Sequence, residues 1–219
     1  MSKKYILTNE TKDYSGTTLY RIQYVIDIPK YDIKAGDLGG WIEKEENLCH
    51  EDSCVITDNA RVLDDAQVYE NARVGDNAEV SDNACIYGNA RVYGNAQVCD
   101  EVEVYDEAQV YDTAQICDNA CIYSNARVYG VAQICDEAEI YDDAQVYGTA
   151  QICDNACIYS NARVYGAAQV CDAAEIFDDA QVYGTAQISD NACIYGSARV
   201  CGNAQINGDS EICGDTEVK

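Results

Sequence analysis

Residues 118–153 read DNACIYSNARVYGVAQICDEAEIYDDAQVYGTAQIC, and residues 154–189 read DNACIYSNARVYGAAQVCDAAEIFDDAQVYGTAQIS. Within each block Val or Ile returns at every sixth residue, with Ala two places before it, as in Ala126 and Val128. Working outward from the blocks, the period holds without insertion from Ile56 to Val218, over 28 positions. Cys54, Val102, Ser210 and Thr216 stand in for Ala. A short period held over this length is the signature of a solenoid.

The six-residue unit also orients its side chains. Ala and Val/Ile lie two apart and share one side of a short extended strand; Arg, Gln or Glu shares the other side with Tyr or Cys. Charged groups do not line a narrow dry interior, so Ala and Val/Ile point in. The last two places hold Gly, Asp, Asn or Ser, which suit turns.

The outward residues repeat at 18. Cys99, Cys117, Cys135, Cys153 and Cys171 form one series, beside a Gln ladder from Gln97 to Gln205. Tyr93, Tyr111, Tyr129, Tyr147, Tyr165 and Tyr183 form a second, with Arg91, Arg127 and Arg163 alternating with Gln. Tyr69 through Tyr195, with Phe177 replacing one Tyr, form a third, where Cys alternates with Glu. Three strands therefore close one coil of 18 residues. About nine coils at ~4.8 Å make a rod roughly 43 Å long.

Units such as NARVYG and TAQICD resemble the hexapeptide repeat of left-handed parallel β-helix proteins, and KAGDLGGWIEKEENL (34–48) resembles the N-terminal segment of YdcK-like hexapeptide proteins. The resemblance covers residues 54–219 and implies an all-β, left-handed parallel β-helix; the handedness comes from it alone. Many members of the wider family are acyltransferases that use a catalytic His and a loop protruding from a coil. Here the repeat contains neither His nor insertion, so no catalytic residue and no enzymatic activity are expected.

The chain divides at residue 54. Residues 54–219 are the repeat domain. Residues 1–53 hold the only Trp, Pro and His and read as strands with Gly-rich turns, a small β cap over the open end of the solenoid. Trp41 and Leu48 are expected to plug the first coil, and His50, with no evident nucleophile or carboxylate partner, to be part of the cap. The N-terminus shows no apolar run like that of a signal peptide and nothing has the length of a membrane span, which points to a cytoplasmic protein with reduced thiols and no membrane partner.

The net charge of −25 lies almost wholly in the repeats, which carry −22 against −3 for the cap. Asp64, Asp82, Asp100, Asp118, Asp136, Asp154, Asp172 and Asp190 line one corner. Three readings stand open for them: each carboxylate hydrogen-bonds its own turn; the row binds calcium; or the row mimics a phosphate track and meets a basic protein surface. An acid chain is not expected to bind nucleic acid directly. Stacked Cys reads as compact packing rather than a disulfide or soft-metal ladder, and no GxGxxG, P-loop or CxxC occurs, so no cofactor or metal is expected. The Tyr ladders either stabilise the coil by stacking or serve as exposed flat stripes for self-association, for which the second face, with its Arg, is favoured as the contact of a homodimer.

Overall fold

A computed structural model describes residues 3–219, so the first two residues of the 1–53 segment lie outside the described residues. The repeat domain is a parallel β-solenoid. Strands β4 (Val55–Ile56) to β31 (Glu217–Val218) follow at six-residue steps, each two residues long, shorter than the four-residue strands the unit suggests. Each strand pairs in parallel with those 18 residues before and after it, as Arg91 does with Arg73 and with Gln109. Every third strand joins the same sheet, giving three sheets with nine to ten repeat rungs each.

The inward assignment holds along the rod. Ala and Val/Ile from Ala60 to Val200 are almost completely buried, and they form one continuous core. Ala at the first place lets the three walls approach while Val or Ile fills the centre; the larger Cys54 and Val102 are accommodated at the Ala place and are fully buried. At the far end Ile206, Ile212 and Val218 are only partly buried, because no further coil covers them.

Each corner turns through a residue with positive φ. That residue is the fifth of the unit, where Asp, Gly, Ser or, once, Glu70 stands: Asp118 has φ 62° and Asp136 φ 59°. The three corners differ in composition. One is the Asp row; a second alternates Asp and Ser; the third is glycine at Gly130, Gly148, Gly166, Gly184 and Gly202. A Cβ on Gly148 would stand 2.9 Å from the backbone N of Gly166, so this corner admits no side chain without displacement.

The cap continues one of the sheets. β1 (Tyr5–Tyr14) and β2 (Thr17–Tyr24) form an antiparallel hairpin, and β2 pairs with β3 (Leu38–Ile42). β3 then runs parallel to the first repeat strand of that sheet, with Trp41 opposite Arg61 and Ile42 opposite Val62. Ile42 therefore takes the inward place and plugs the coil together with Leu48, which bridges to Val68. This corrects the expected role of Trp41. It faces outward and packs with Leu19 and Leu63 in a separate cluster, because the cap strand enters at an offset of 20 residues instead of 18. Gly40 allows the close passage: a Cβ there would lie 2.7 Å from the carbonyl of Ala60.

Side chains of the cap close the exposed sheet edges. The Tyr24 hydroxyl donates to the carbonyl of Ile56 at 3.0 Å and accepts from its N–H at 2.9 Å. Buried Asn47 donates to the carbonyls of Asp64 and Ala66. Edge groups that would template another strand are thus satisfied within the chain.

Candidate functional site

The repeat presents the side chain after each Val or Ile on the outer surface of a sheet, and the sheets hold these residues in register. On the second face the rings of Tyr93, Tyr111, Tyr129, Tyr147, Tyr165 and Tyr183 stack with centroids 4.8–4.9 Å apart and planes within 5°. The third face stacks in the same way from Tyr69 to Tyr195. Every Tyr of both ladders is half-buried. This corrects the expectation of flat exposed stripes. Each ring spends its faces on its neighbours and shows solvent its edge and hydroxyl.

The hydroxyls distinguish the two faces. On the third face the hydroxyls with Glu on the next rung are engaged with the chain: Tyr87 donates to Glu103 at 2.9 Å, Tyr123 to Glu139 and Tyr159 to Glu175 at 3.0 Å, whereas, among the described residues, Tyr69, Tyr105 and Tyr141, with Cys on the next rung, are not. On the second face, among the described residues, Tyr165 reaches the Gln181 carbonyl oxygen at 3.5 Å and Tyr183 interacts with Cys201, while Tyr93, Tyr111, Tyr129 and Tyr147 find no partner. Arg91, Arg127 and Arg163 on that face are exposed, and among the described residues none forms an ion pair. Burial raises the Tyr111 hydroxyl to about 12, and it raises Tyr93 and Tyr129 too, against the pull of the neighbouring guanidiniums. These hydroxyls are neutral donors at physiological pH.

The second face also borders the glycine corner, which the sequence reading overlooked although glycines at 18-residue spacing follow the Tyr directly. The turn residues after those glycines are Val131, Thr149, Ala167 and Thr185, all exposed, with Val131 52% accessible. From Arg127 to Thr185, the outward strand residues of this face and the adjoining corner form a band of Tyr, Arg, Gln, Gly, Val, Thr and Ala without one carboxylate. On a chain of net charge −25 this is the exceptional surface.

The Asp corner is built differently from the simplest expectation. Apart from Asp82, which also accepts from the Ser81 hydroxyl at 3.0 Å, the carboxylates bond the next coil rather than their own turn. Asp64 accepts from the N–H of Asp82, Asp100 from Asp118, Asp118 from Asp136, Asp136 from Asp154, Asp154 from Asp172 and Asp172 from Asp190, at 3.1–3.5 Å. Asp190 closes the row on the N–H of Gly208 at 2.8 Å. Each carboxylate thus satisfies the left-handed turn of the next coil, which accounts for an acid at every rung of this corner.

Three segments, residues 84–100, 114–130 and 186–202, match the family model described as YdcK Beta solenoid repeat, and each segment spans one full turn through all three faces. Over these segments the chain resembles the YdcK β-solenoid repeat. No curated protein is found to match it.

In this YdcK-like solenoid the Cys ladder departs from the expectation of wholly reduced thiols. Cys153 and Cys171, on adjacent rungs with Cα atoms 4.7 Å apart, form a disulfide. In-register strands bring neighbouring rungs within the range a disulfide needs, against the expectation that the stacked Cys serve as packing alone. Cys99, Cys117 and Cys135 are free. Burial first, then the neighbouring Asp carboxylate, pushes Cys99 and Cys117 up to about 12 and Cys135 to about 11. Thiols held this high are poor nucleophiles and poor metal ligands near neutral pH. Among the described residues, the one cluster of Cys and carboxylate within metal-binding reach is Cys153, Asp154 and Cys171, and its two sulfurs are bonded to each other.

His50 has a carboxylate neighbour after all: its Nε2 lies 3.9 Å from Glu45. Its Nδ1 accepts the N–H of Lys4, its ring stacks on Tyr5 at 4.2 Å, and burial lowers its pKa. These contacts tie the N-terminal strand to the turn at Glu45–Asn47. No helix among the described residues is long and apolar enough to cross a membrane.

Proposed function

We propose that this YdcK-like solenoid is a non-catalytic scaffold that self-associates through its second face. The observation that carries the reading is the carboxylate-free band from Arg127 to Thr185 with the unengaged hydroxyls of Tyr129 and Tyr147. Two rods of this net charge repel each other over most of their surface. At this band the repulsion falls locally, and an Arg of one copy can stack on a ring edge or reach a hydroxyl of the other. The band is straight, and the stacked rungs make it rigid, so little side-chain entropy is lost on docking. A contact along it can approach the ~800 Å² per side of a standard interface.

Analytical ultracentrifugation at moderate salt tests this. The native chain should sediment as a dimer, and Val131→Glu with Ala167→Glu should shift it to monomer, since both side chains are exposed and outside the ring stack. A native chain that is monomeric at high concentration refutes the reading. A second reading, an acidic mimic that occupies a basic protein surface, draws on the exposed Asp row, where Asp118, Asp136, Glu137 and Asp154 line a shallow groove. It predicts binding abolished by moderate salt and indifferent to changes at Val131 and Ala167.

A further inference from the structure

The second face breaks its own pattern at one rung. Beyond Tyr93, toward the cap, the next ladder place is Gly75, so Tyr93 is stacked on one face only, by Tyr111. The alternation of Arg and Gln fails at the same rung: Arg73 stands next to Arg91, where the pattern from Arg91 to Gln181 would place Gln. The result is a cleft of about 200 Å³ lined by Arg73, Gly75, Asp76, Arg91 and Tyr93.

Its charges are unusual for this chain. Arg73 and Arg91 are in register on adjacent strands, and neither donates a hydrogen bond or forms an ion pair among the described residues. Two uncompensated guanidiniums at rung spacing repel each other unless an anion lies between them. On the neighbouring face the chain meets the same need from within, since Arg61 pairs with Glu79 at 2.8 Å. Both acids at the cleft are engaged with backbone: Asp76 Oδ2 accepts from the N–H of Gly94 at 3.0 Å, and Asp58 Oδ2, 3.8 Å from where a Cβ on residue 75 would stand, accepts from the N–H of Asp76 at 3.4 Å. Beside the gap, the Thr57 hydroxyl is buried without a partner, 2.9 Å from where a Cβ on residue 75 would stand.

We infer that this cleft binds a small planar aromatic oxyanion, whose ring occupies the ladder place left vacant at Gly75 and stacks on Tyr93 while its anionic group lies between Arg73 and Arg91. The volume suits a single ring with one charged substituent and is below that of a drug-sized pocket. The stacked Tyr series fixes the slot's orientation, because a ring parallel to Tyr93 simply extends the roll by one. The cleft lies outside the band proposed for self-association, so the two ideas fail separately.

Isothermal titration calorimetry of the full chain with phenyl phosphate, inorganic phosphate and phenol tests the inference. Phenyl phosphate should bind about tenfold or more tighter than inorganic phosphate, the gain expected of one aromatic stack, and phenol should not bind measurably. Gly75→Tyr should abolish binding by continuing the ladder; Gly75 lacks a positive φ, and only the rotatable Thr57 hydroxyl stands in the way of a Cβ there. Arg73→Gln, a surface change that restores the alternation, should weaken binding at least fivefold and serves if the Gly75 variant misfolds. The inference is overturned if the native chain does not bind phenyl phosphate at millimolar concentration. Equal binding of inorganic and phenyl phosphate, or native affinity in either variant, overturns it as well.

Discussion

If the Tyr ladder is a structural stack, its value should depend on position along the rod. Tyr129 stacks on both Tyr111 and Tyr147, whereas Tyr183 stacks on Tyr165 alone, its next rung being Cys201. Each such pair is worth about 0.5–1.5 kcal/mol beyond burial. Tyr129→Ser should therefore remove about 1–3 kcal/mol of stacking and Tyr183→Ser half as much, on top of a similar loss of buried ring area. A solenoid does not unfold as one unit, so the loss must be read locally. The amides of Tyr111 and Tyr129, bonded to the carbonyls of Val128 and Val146 at 3.0 Å, report on these rungs by native-state hydrogen exchange. The stacking share alone should lower their protection by roughly 5-fold to 150-fold in Tyr129→Ser, and the lost burial should lower it further. The measurement belongs in the Val131→Glu, Ala167→Glu background, so that a lost dimer does not masquerade as a lost stack. Equal effects of the central and terminal substitutions, or a change below twofold, would refute the stacking account and leave docking as the reason for the rings.

Millimolar calcium should leave the melting temperature unchanged, because one oxygen of each corner carboxylate already holds an amide; a rise approaching the ~2.7 kcal/mol of a site at 100 times its Kd, removed by Asp118→Asn with Asp136→Asn, would overturn this. Cys99, Cys117 and Cys135 should label slowly with iodoacetamide at pH 7–8, the rate climbing about tenfold per pH unit toward pH 11. Because their folded pKa values lie above the ~8.5 of an unfolded thiol, the stability they contribute is complete below pH 8.5. It is lost as pH rises from there to 11–12, which alkaline melting curves should show. Purified protein should not turn over acyl-CoA, and His50→Ala should leave the dimer intact; turnover abolished by that substitution would restore the enzymatic reading.

The period of six and the 18-residue spacing of outward residues made the coil legible, because inward Ala and Val/Ile face a steric and dielectric demand that no local context modifies. What misled was everything that depends on register or on the neighbouring coil. Trp41 and Ile42 differ by one place, and which of them points inward follows from the offset at which β3 meets Arg61 and Val62. The carboxylate of Asp100 could reach its own turn or the next one, and the sequence contains no term for the 18-residue partner that wins. Glu45 lies near His50 in sequence, yet only the short turn at Glu45–Asn47 brings its carboxylate toward the imidazole. The carboxylate-free band was legible in principle: Gly130, Gly148, Gly166 and Gly184 sit at the same spacing as the Tyr they follow.

The 36-residue alternation gives a physical reason to prefer the second face for docking. On the third face a Tyr whose next rung carries Glu donates to it, as Tyr87, Tyr123 and Tyr159 do. A Tyr whose next rung carries Cys has no such acceptor, and the only Phe of the chain, Phe177, stands at one of these places, before Cys193. At that one place of four the hydroxyl is given up, while Tyr69, Tyr105 and Tyr141 keep theirs. The second face never makes that exchange. Among the described residues Tyr93, Tyr111, Tyr129 and Tyr147 keep hydroxyls that no side chain receives, and Tyr129 and Tyr147 lie in the band where acids are absent and arginines stand unpaired. Hydrogen-bonding groups kept without an internal partner are free for an external one, and the lack of carboxylate lets that partner be a second copy of the same acidic rod.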